Sequence, residues 1–288
     1  MKSPVKFFRK LLKNKKAVSQ VLAAIMMIVL LTAAIGVVWG WLFPSYRRFQ
    51  ANNAINSVTS YMLRIDEGIY SLLSEGTGAV INQNLDPFFG TYQYESGKNI
   101  TIDFSDDGGT YSSSYNHLDL GAFTYTIIGR QSSLIPVGEF EYLKGPSNQP
   151  IFFVNNSEAE VYQGLTNLTS SRPANEEARI ELDYRVSLYY WYDQVNDVLS
   201  IELNLIILAI KGTTFQLYSF NQLKMNYNHT MILYSDTTTV SSDFYVDGTI
   251  TSRENPATHR VLDFTIPATV VNYDVNIEVK ASYIVFYT

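Results

Sequence analysis

The hydrophobic pattern of this chain changes period twice. Residues 21–43 read VLAAIMMIVLLTAAIGVVWGWLF, about 23 positions without a charge, apolar on every side of a helix. At ~1.5 Å per residue such a helix reaches across a ~30 Å hydrocarbon layer. After Pro44 the pattern becomes one-sided. Ile55, Val58, Met62, Ile65, Ile69 and Leu72 recur at spacings of three and four, the repeat of a single helical face. Arg64, Asp66 and Glu67 are read as lying off that stripe, and Gly76 and Gly78 punctuate its end. The pattern predicts one long N-terminal helix, apolar all round and then amphipathic, with a kink at Pro44.

From about residue 79 the period falls to two. The clearest alternation covers residues 180–191, with Ile180, Leu182, Tyr184, Val186, Leu188 and Tyr190 on one face and Glu181, Asp183, Arg185 and Ser187 on the other. A turn at residues 193–197 leads into residues 198–210, where Leu199, Ile201, Leu203, Leu205 and Ile207 share a face. Together they predict a long β-hairpin. Near Ile206, Ile207 and Leu208 both faces become apolar, as in a strand end covered on both sides. A last strand is predicted over residues 271–288, and weaker ones near 121–128, 136–143, 150–164, 214–234 and 260–266. The fold class expected is α+β: a long N-terminal helix, then a mainly antiparallel, sandwich-like β domain. Its parts are a basic leader at 1–16, an all-apolar helix at 17–44, an amphipathic helix at 45–78 packed on the head, and the β-rich domain at 79–288. The segment 171–175 is the candidate divide between two halves of that domain.

Composition supports a packed core: the 288 residues are 46% hydrophobic and only 17% charged, outside the disordered class. The chain has no cysteine, which excludes disulfides, thiol catalysis and thiolate metal sites. The formal charge of −6 conceals an asymmetry. Lys2, Lys6, Arg9, Lys10, Lys13, Lys15 and Lys16 precede the apolar run with no acid among them, so the remainder is more acidic than the total suggests. An acidic body without a basic stripe argues against a nucleic-acid partner. Seven cations before the run, against Arg47 and Arg48 after it, place the N-terminus in the cytoplasm and the β domain outside. Trp39, Trp41 and Phe43 stand where interfacial aromatics belong. A secretory signal would need small residues for cleavage after the run, and Pro44, Ser45, Tyr46 and Arg47 do not supply them. The helix is therefore expected to be retained, with membrane lipid as a partner.

The junction Lys15-Lys16-Ala17-Val18-Ser19-Gln20-Val21 resembles the class III signal peptide of archaeal type IV pilins and archaellins. The resemblance covers about residues 9–45. It implies cleavage by prepilin peptidase on the cytoplasmic side, between Lys16 and Ala17. It also implies a helix that sits first in the membrane and then in a filament core, through Val21, Leu22, Ile25, Ile28, Leu31, Ile35 and Val38. Mature position five is Val21, where bacterial pilins carry Glu. The implied partners are other pilin-like subunits and the pilus assembly machinery. The large head points to a minor or specialised subunit, with adhesion as a function of its outer surface. A signal anchor that is never cleaved shares the same residues.

Motifs for chemistry are sparse. His117, His229 and His259 have no partner at metal-ligand spacing, and no GxSxG, Ser-x-x-Lys, P-loop or dinucleotide motif occurs. Asp103, Asp106 and Asp107 before Gly108 and Gly109 suit a solvated hairpin turn better than a calcium loop. Glu139 and Glu141 would share a strand face about 7 Å apart, and an exposed face explains them more simply than a paired-carboxylate site. Sequons at Asn99, Asn155, Asn167 and Asn228 offer N-glycosylation sites on an exported domain. The expectation is a structural protein without catalytic residues, cofactor or metal. The alternative is a membrane-anchored solute- or sugar-binding module, with Tyr189, Tyr190, Trp191 and Tyr192 as candidate pocket residues.

Overall fold

The computed structural model describes residues 15–96, 99–117, 119–128, 135–145, 152–155, 165–173, 177–212, 215–217, 221–251, 256–267 and 269–287. Most of the basic leader therefore lies outside the described residues. The chain divides into two compact units, Met1–Asn53 and Ala54–Thr288.

Helix α1 (Lys15–Val37) passes through one π turn (Val38–Leu42) into α2 (Phe43–Glu75), whose residues from Ala54 on belong to the second unit. The expected effect of Pro44 takes the form of this wider turn. Proline lacks an N–H and its ring crowds the carbonyl four residues back, at Gly40, so helical hydrogen bonding proceeds by loosening there. Ser45 donates its hydroxyl to the Trp41 carbonyl at 2.8 Å.

In the second unit, the described residues after α2 form sixteen strands. They are β1 (Val80–Leu85), β2 (Gly90–Glu95), β3 (Asn99–Asp106), β4 (Ser112–His117), β5 (Ala122–Ile127), β6 (Phe140–Lys144), β7 (Phe152–Asn155) and β8 (Thr166–Ser171). There follow β9 (Arg179–Tyr184), β10 (Val186–Asp193), β11 (Val198–Ile210), β12 (Gln216–Leu217), β13 (Asn221–Val240), β14 (Phe244–Thr251), β15 (Pro256–Phe264) and β16 (Tyr273–Tyr287). The first sheet runs β1-β13-β16-β11-β10-β7, the second β12-β2-β5-β9-β8-β6, and the third β15-β14-β3-β4. Pairing is antiparallel apart from β11 with β16 and β7 with β10. The α+β class is as the sequence patterns indicate.

The first sheet serves two cores, one on each face and at opposite ends. Leu199, Ile201 and Leu203 of β11 and Val275, Ile277 and Val279 of β16 pack with Ile102, Phe104, Phe244 and Val246 of the third sheet. Further along the same strands, Leu208, Ile284 and Phe286 belong to the other core, together with Tyr92, Phe123 and Leu182 of the second sheet. The stripe of α2 lies in that second core: Val58, Met62, Ile65, Ile69 and Leu72 are fully buried there. Both faces of β11 are thus covered where Ile206, Ile207 and Leu208 are all apolar. At Gly68 a Cβ would stand 2.9 Å from Met225 Cε, so the helix approaches the sheet closely here and a larger residue would displace the Met225 methyl.

Two sequence expectations change. Residues 180–191 are two strands, not one. The chain leaves the second sheet after Tyr184, passes Arg185, and enters the first sheet at Val186. The alternation continues because the same parity faces one core before the crossing and the other core after it. The hairpin itself forms from β10 and β11, with Asp193 opposite Val198. The divide near 171–175 is not a domain boundary either, since β8 and β9 on its two sides pair with each other.

Burying five apolar side chains of one helical face is worth roughly 1.5–3 kcal/mol each. A fragment of residues 45–288 should therefore be soluble and mainly β by circular dichroism. One of residues 79–288 should expose the uncovered core and aggregate. Met62→Lys in the longer fragment should lower its stability to denaturant by at least ~3 kcal/mol, because an unpaired charge would enter a fully buried site. Equal solubility and heat resistance of the two fragments would show that α2 does not hold the head together.

Candidate functional site

The first unit presents the apolar helix that the sequence singles out. Val21, Leu22, Ile25, Ile28, Leu31, Ile35 and Val38 are all exposed, from 47% at Val38 to 66% at Ile28. Thr32, the one hydroxyl in the middle of the run, donates to the Ile28 carbonyl at 2.8 Å and so leaves no polar group seeking water. Among the described residues this is the helix long and apolar enough to cross a membrane. Lys16 and Ala17 lie in the first turn of α1.

The second unit holds α2 through a buried polar cluster that sequence reading placed on the wrong side. Asp66 is 0% exposed, whereas Arg64 and Glu67 face outward as expected. Its Oδ1 accepts from Thr166 Oγ1 at 2.8 Å and from Tyr184 Oη at 2.9 Å, and its Oδ2 pairs with Lys144 Nζ at 2.5 Å. Tyr70, one turn on, shares a 2.7 Å hydrogen bond with Thr166, and Lys144 Nζ lies 5.8 Å from its ring centre. Burial, and then the Asp66 carboxylate, push the Tyr184 hydroxyl well above its ordinary range, so it stays a donor. Arg185 is buried beside this cluster. Its guanidinium donates to the Thr166 carbonyl and to Asn167 Oδ1, and lies 5.9 Å from the Tyr142 ring centre. The arrangement binds one turn of α2 to β6, β8, β9 and the crossing residue. Chemically it is a satisfied ion pair rather than a reactive group.

The remaining sequence candidates are scattered. The Asp106 carboxylate closes the β3–β4 turn by accepting from Thr110, the Tyr111 N–H and Ser242. Across the same region Asp236 accepts from Tyr111 and Tyr234 at 2.7 and 3.0 Å. Among the described residues no group of histidines and carboxylates is arranged to hold a metal. His229 stacks on Tyr283, centroids 4.7 Å apart, while the side chains of His117 and His259 lie outside the described residues. Of Glu139 and Glu141, only Glu141 lies in a strand. Glu139 precedes β6 in a turn, and both are exposed.

The four sequons differ. Asn228 is exposed at a bulge of β13 against β16, where it has no opposite residue. Asn99 accepts from the Asp119 N–H at 3.2 Å, and Asn167 is engaged with Arg185 in an inner strand where Thr169 is buried. Asn155 is on β7, with its side chain outside the described residues. The aromatics of β10 split by parity. Tyr190 and Tyr192 pack on the core shared with the third sheet, whereas Tyr189 and Trp191 pair on the opposite face with ring centroids 5.2 Å apart.

Comparison of the chain with protein-family models, curated proteins and solved structures gives no match.

Two outcomes follow from these geometries. Asp66→Ala removes the acceptor from two buried hydroxyls and the partner of Lys144, so it should cost about 2–4 kcal/mol of head stability. Lys144→Ala should cost less, because Lys144 is 35% exposed and Asp66 keeps its hydroxyl donors. Denaturant titration of both variants and their double mutant checks the order. For Asp106, burial raises the carboxyl but the donors of Thr110, Tyr111 and Ser242 outweigh it and lower it overall. At Asp236 the Tyr111 hydroxyl lowers it. Their stabilisation is therefore complete above the unfolded carboxyl value of ~3.9 and is lost as pH falls through the lower folded values. Thermal melts should drop steeply below about pH 4, and less steeply in Asp236→Asn.

Proposed function

We propose that this chain is a structural subunit of an archaeal type IV pilus-like surface filament, assembled through its N-terminal helix and not an enzyme. The observation that carries the reading is the change of surroundings along the helical segment. Residues 21–43 are apolar and exposed all round, whereas residues 58–72 of α2 lose their apolar face to the head core. A helix with no cover in its own chain exchanges lipid for like helices at little hydrophobic cost. Repeated head-to-tail contacts between copies then build an open filament. The Lys16–Ala17 junction gives the maturation step, a prepilin-type peptidase the processing partner, and the β domain the cell-surface face of the filament. A minor-subunit or adhesive role fits the large head, and Asn228 is the sequon best placed to carry a glycan.

The second reading, an anchored sugar-binding module, is favoured by one observation. Tyr189 and Trp191 stand on an outer sheet face beside Glu202 and Ser200, which are opposite them on β11.

Mass spectrometry of the filament fraction sheared from cells should find this chain beginning at Ala17. Ile28→Asp should leave it in membranes and remove it from filaments, because a charge at a helix centre costs only about 2.5–3.5 kcal/mol on insertion scales but finds no water in a helix core. A mature chain that retains Met1 and is recovered solely from membranes would refute the filament reading and leave the binding module.

A further inference from the structure

The segment Asp86-Pro87-Phe88-Phe89-Gly90, between β1 and β2, is a turn held in a costly shape. Phe88 has φ +46°, a left-handed conformation unusual for a bulky side chain. Four hydrogen bonds fix it there. The Phe88 N–H donates to Asp86 Oδ1 at 2.9 Å and the Gly90 N–H to the Pro87 carbonyl at 2.8 Å. Tyr125 Oη donates to the Pro87 carbonyl at 2.7 Å, and Tyr92 Oη to the Asp86 carbonyl at 3.3 Å. Gly90 closes the turn where a Cβ would stand 2.3 Å from the Thr126 carbonyl oxygen. Two buried tyrosines and a glycine without room for a side chain thus serve to hold Phe88 and Phe89 outward. These are 41% and 42% exposed, and Ile128, also exposed, is tied to the Phe89 carbonyl through its N–H. Tyr61 of α2 stacks on Phe88 at 6.2 Å, and Arg64 lies 6.0 Å from the Tyr61 ring centre. Folding alone would be served better by burying the two rings or replacing them with polar residues.

The chain carries a matching surface on its own first unit. Phe43, Tyr46 and Phe49 stand three residues apart on the first turns of α2, all exposed, with Arg47 over the Phe43 ring at 4.3 Å and Arg48 on the far side of the helix. No acid occurs between residue 17 and Asp66 to pair with these arginines along the helix. We infer that the Phe88–Phe89 turn of one copy docks on the Phe43–Tyr46–Phe49 stripe of a second copy, with Asp86 facing Arg47. The two patches differ from each other, so the contact is heterologous and repeats along an open assembly. Aromatic anchors held rigidly before docking lose little freedom on association, as interface hot spots require. This inference rests on the filament reading and specifies one of its contacts.

The absence of cysteine makes the test direct. Two full-length chains with different tags, one carrying Phe49→Cys and the other Phe89→Cys, are produced together and oxidised in membranes and in sheared filaments. We expect a disulfide-linked dimer containing both tags. It should be lost when Arg47→Glu, on the exposed helix outside the head, is added to the Phe49→Cys chain, while thermal melting of the head stays unchanged. A mixed dimer found only in membranes supports the docking contact and tells against filaments. Filaments that lack the mixed dimer overturn the docking contact and leave the filament reading intact. Neither filaments nor mixed dimer would overturn both. A Phe89 position reached by lipid-soluble reagents, without the dimer, would likewise overturn docking and assign the turn to a lipid surface.

Discussion

One of the two cores of the second unit is built around the burial of one face of α2. An isolated one-sided helix is marginal in water and is stabilised by packing. Here Val58, Met62, Ile65, Ile69 and Leu72 fill a core to which the first and second sheets both contribute. The two sheets also meet directly, with the Phe123 and Phe286 ring centroids 5.2 Å apart, and the α2 stripe joins Leu208 and Ile284 in the same core. Asp66 adds direction to this burial. Its carboxylate accepts hydroxyls from β8 and β9 and pairs with Lys144 of β6, so the helix is satisfied in one register and would bury unmet polar groups in another.

The two units divide the labour of a single helical segment. The same backbone is apolar on all sides over residues 21–43, which end in the π turn and Phe43, and one-sided over residues 55–72, with Pro44 between. On the proposed reading, the first half is free to exchange lipid for other helices because nothing in its own chain covers it. The second half is not free, because its apolar face and its carboxylate are already committed. On that reading the functional surface is the part of the sequence that the fold leaves unsatisfied, and the inferred docking turn at Phe88 and Phe89 is the corresponding feature of the head.

Much of this was legible in the pattern of residues, and the failures have physical causes. The stripe from Val58 to Leu72 falls in the core, and the alternation holds from Leu199 to Leu205 in β11 and from Tyr273 to Ala281 in β16, whereas in β10 Ser187 of the polar face is buried too. The passage between sheets at Arg185 was hidden because a polar residue at an outward parity looks the same whether it meets water or a neighbour's carbonyl. Asp66 was read as solvated, yet it stands four residues after Met62 and three before Ile69, which is the spacing of the buried face. That spacing was the available signal. The strand β3 alternates cleanly, with Ile100, Ile102 and Phe104 buried, but its polar positions and the Ser- and Gly-rich residues after it read as a turn region, and β4 is nearly all polar. The Phe88–Phe89 turn had no sequence signature beyond an Asp-Pro step, since its meaning lies in a positive φ and in tyrosines distant along the chain.

The central claim is that the exposed apolar helix changes its surroundings from lipid to copies of itself. A photoactivatable, membrane-dissolved lipid probe followed by mass spectrometry reads this directly, at Ile28 and Leu31. The account predicts labelling of both residues in the membrane fraction and its loss in sheared filaments, with residues 58–72 unlabelled in both. Labelling of equal strength in every fraction that contains the chain would contradict it.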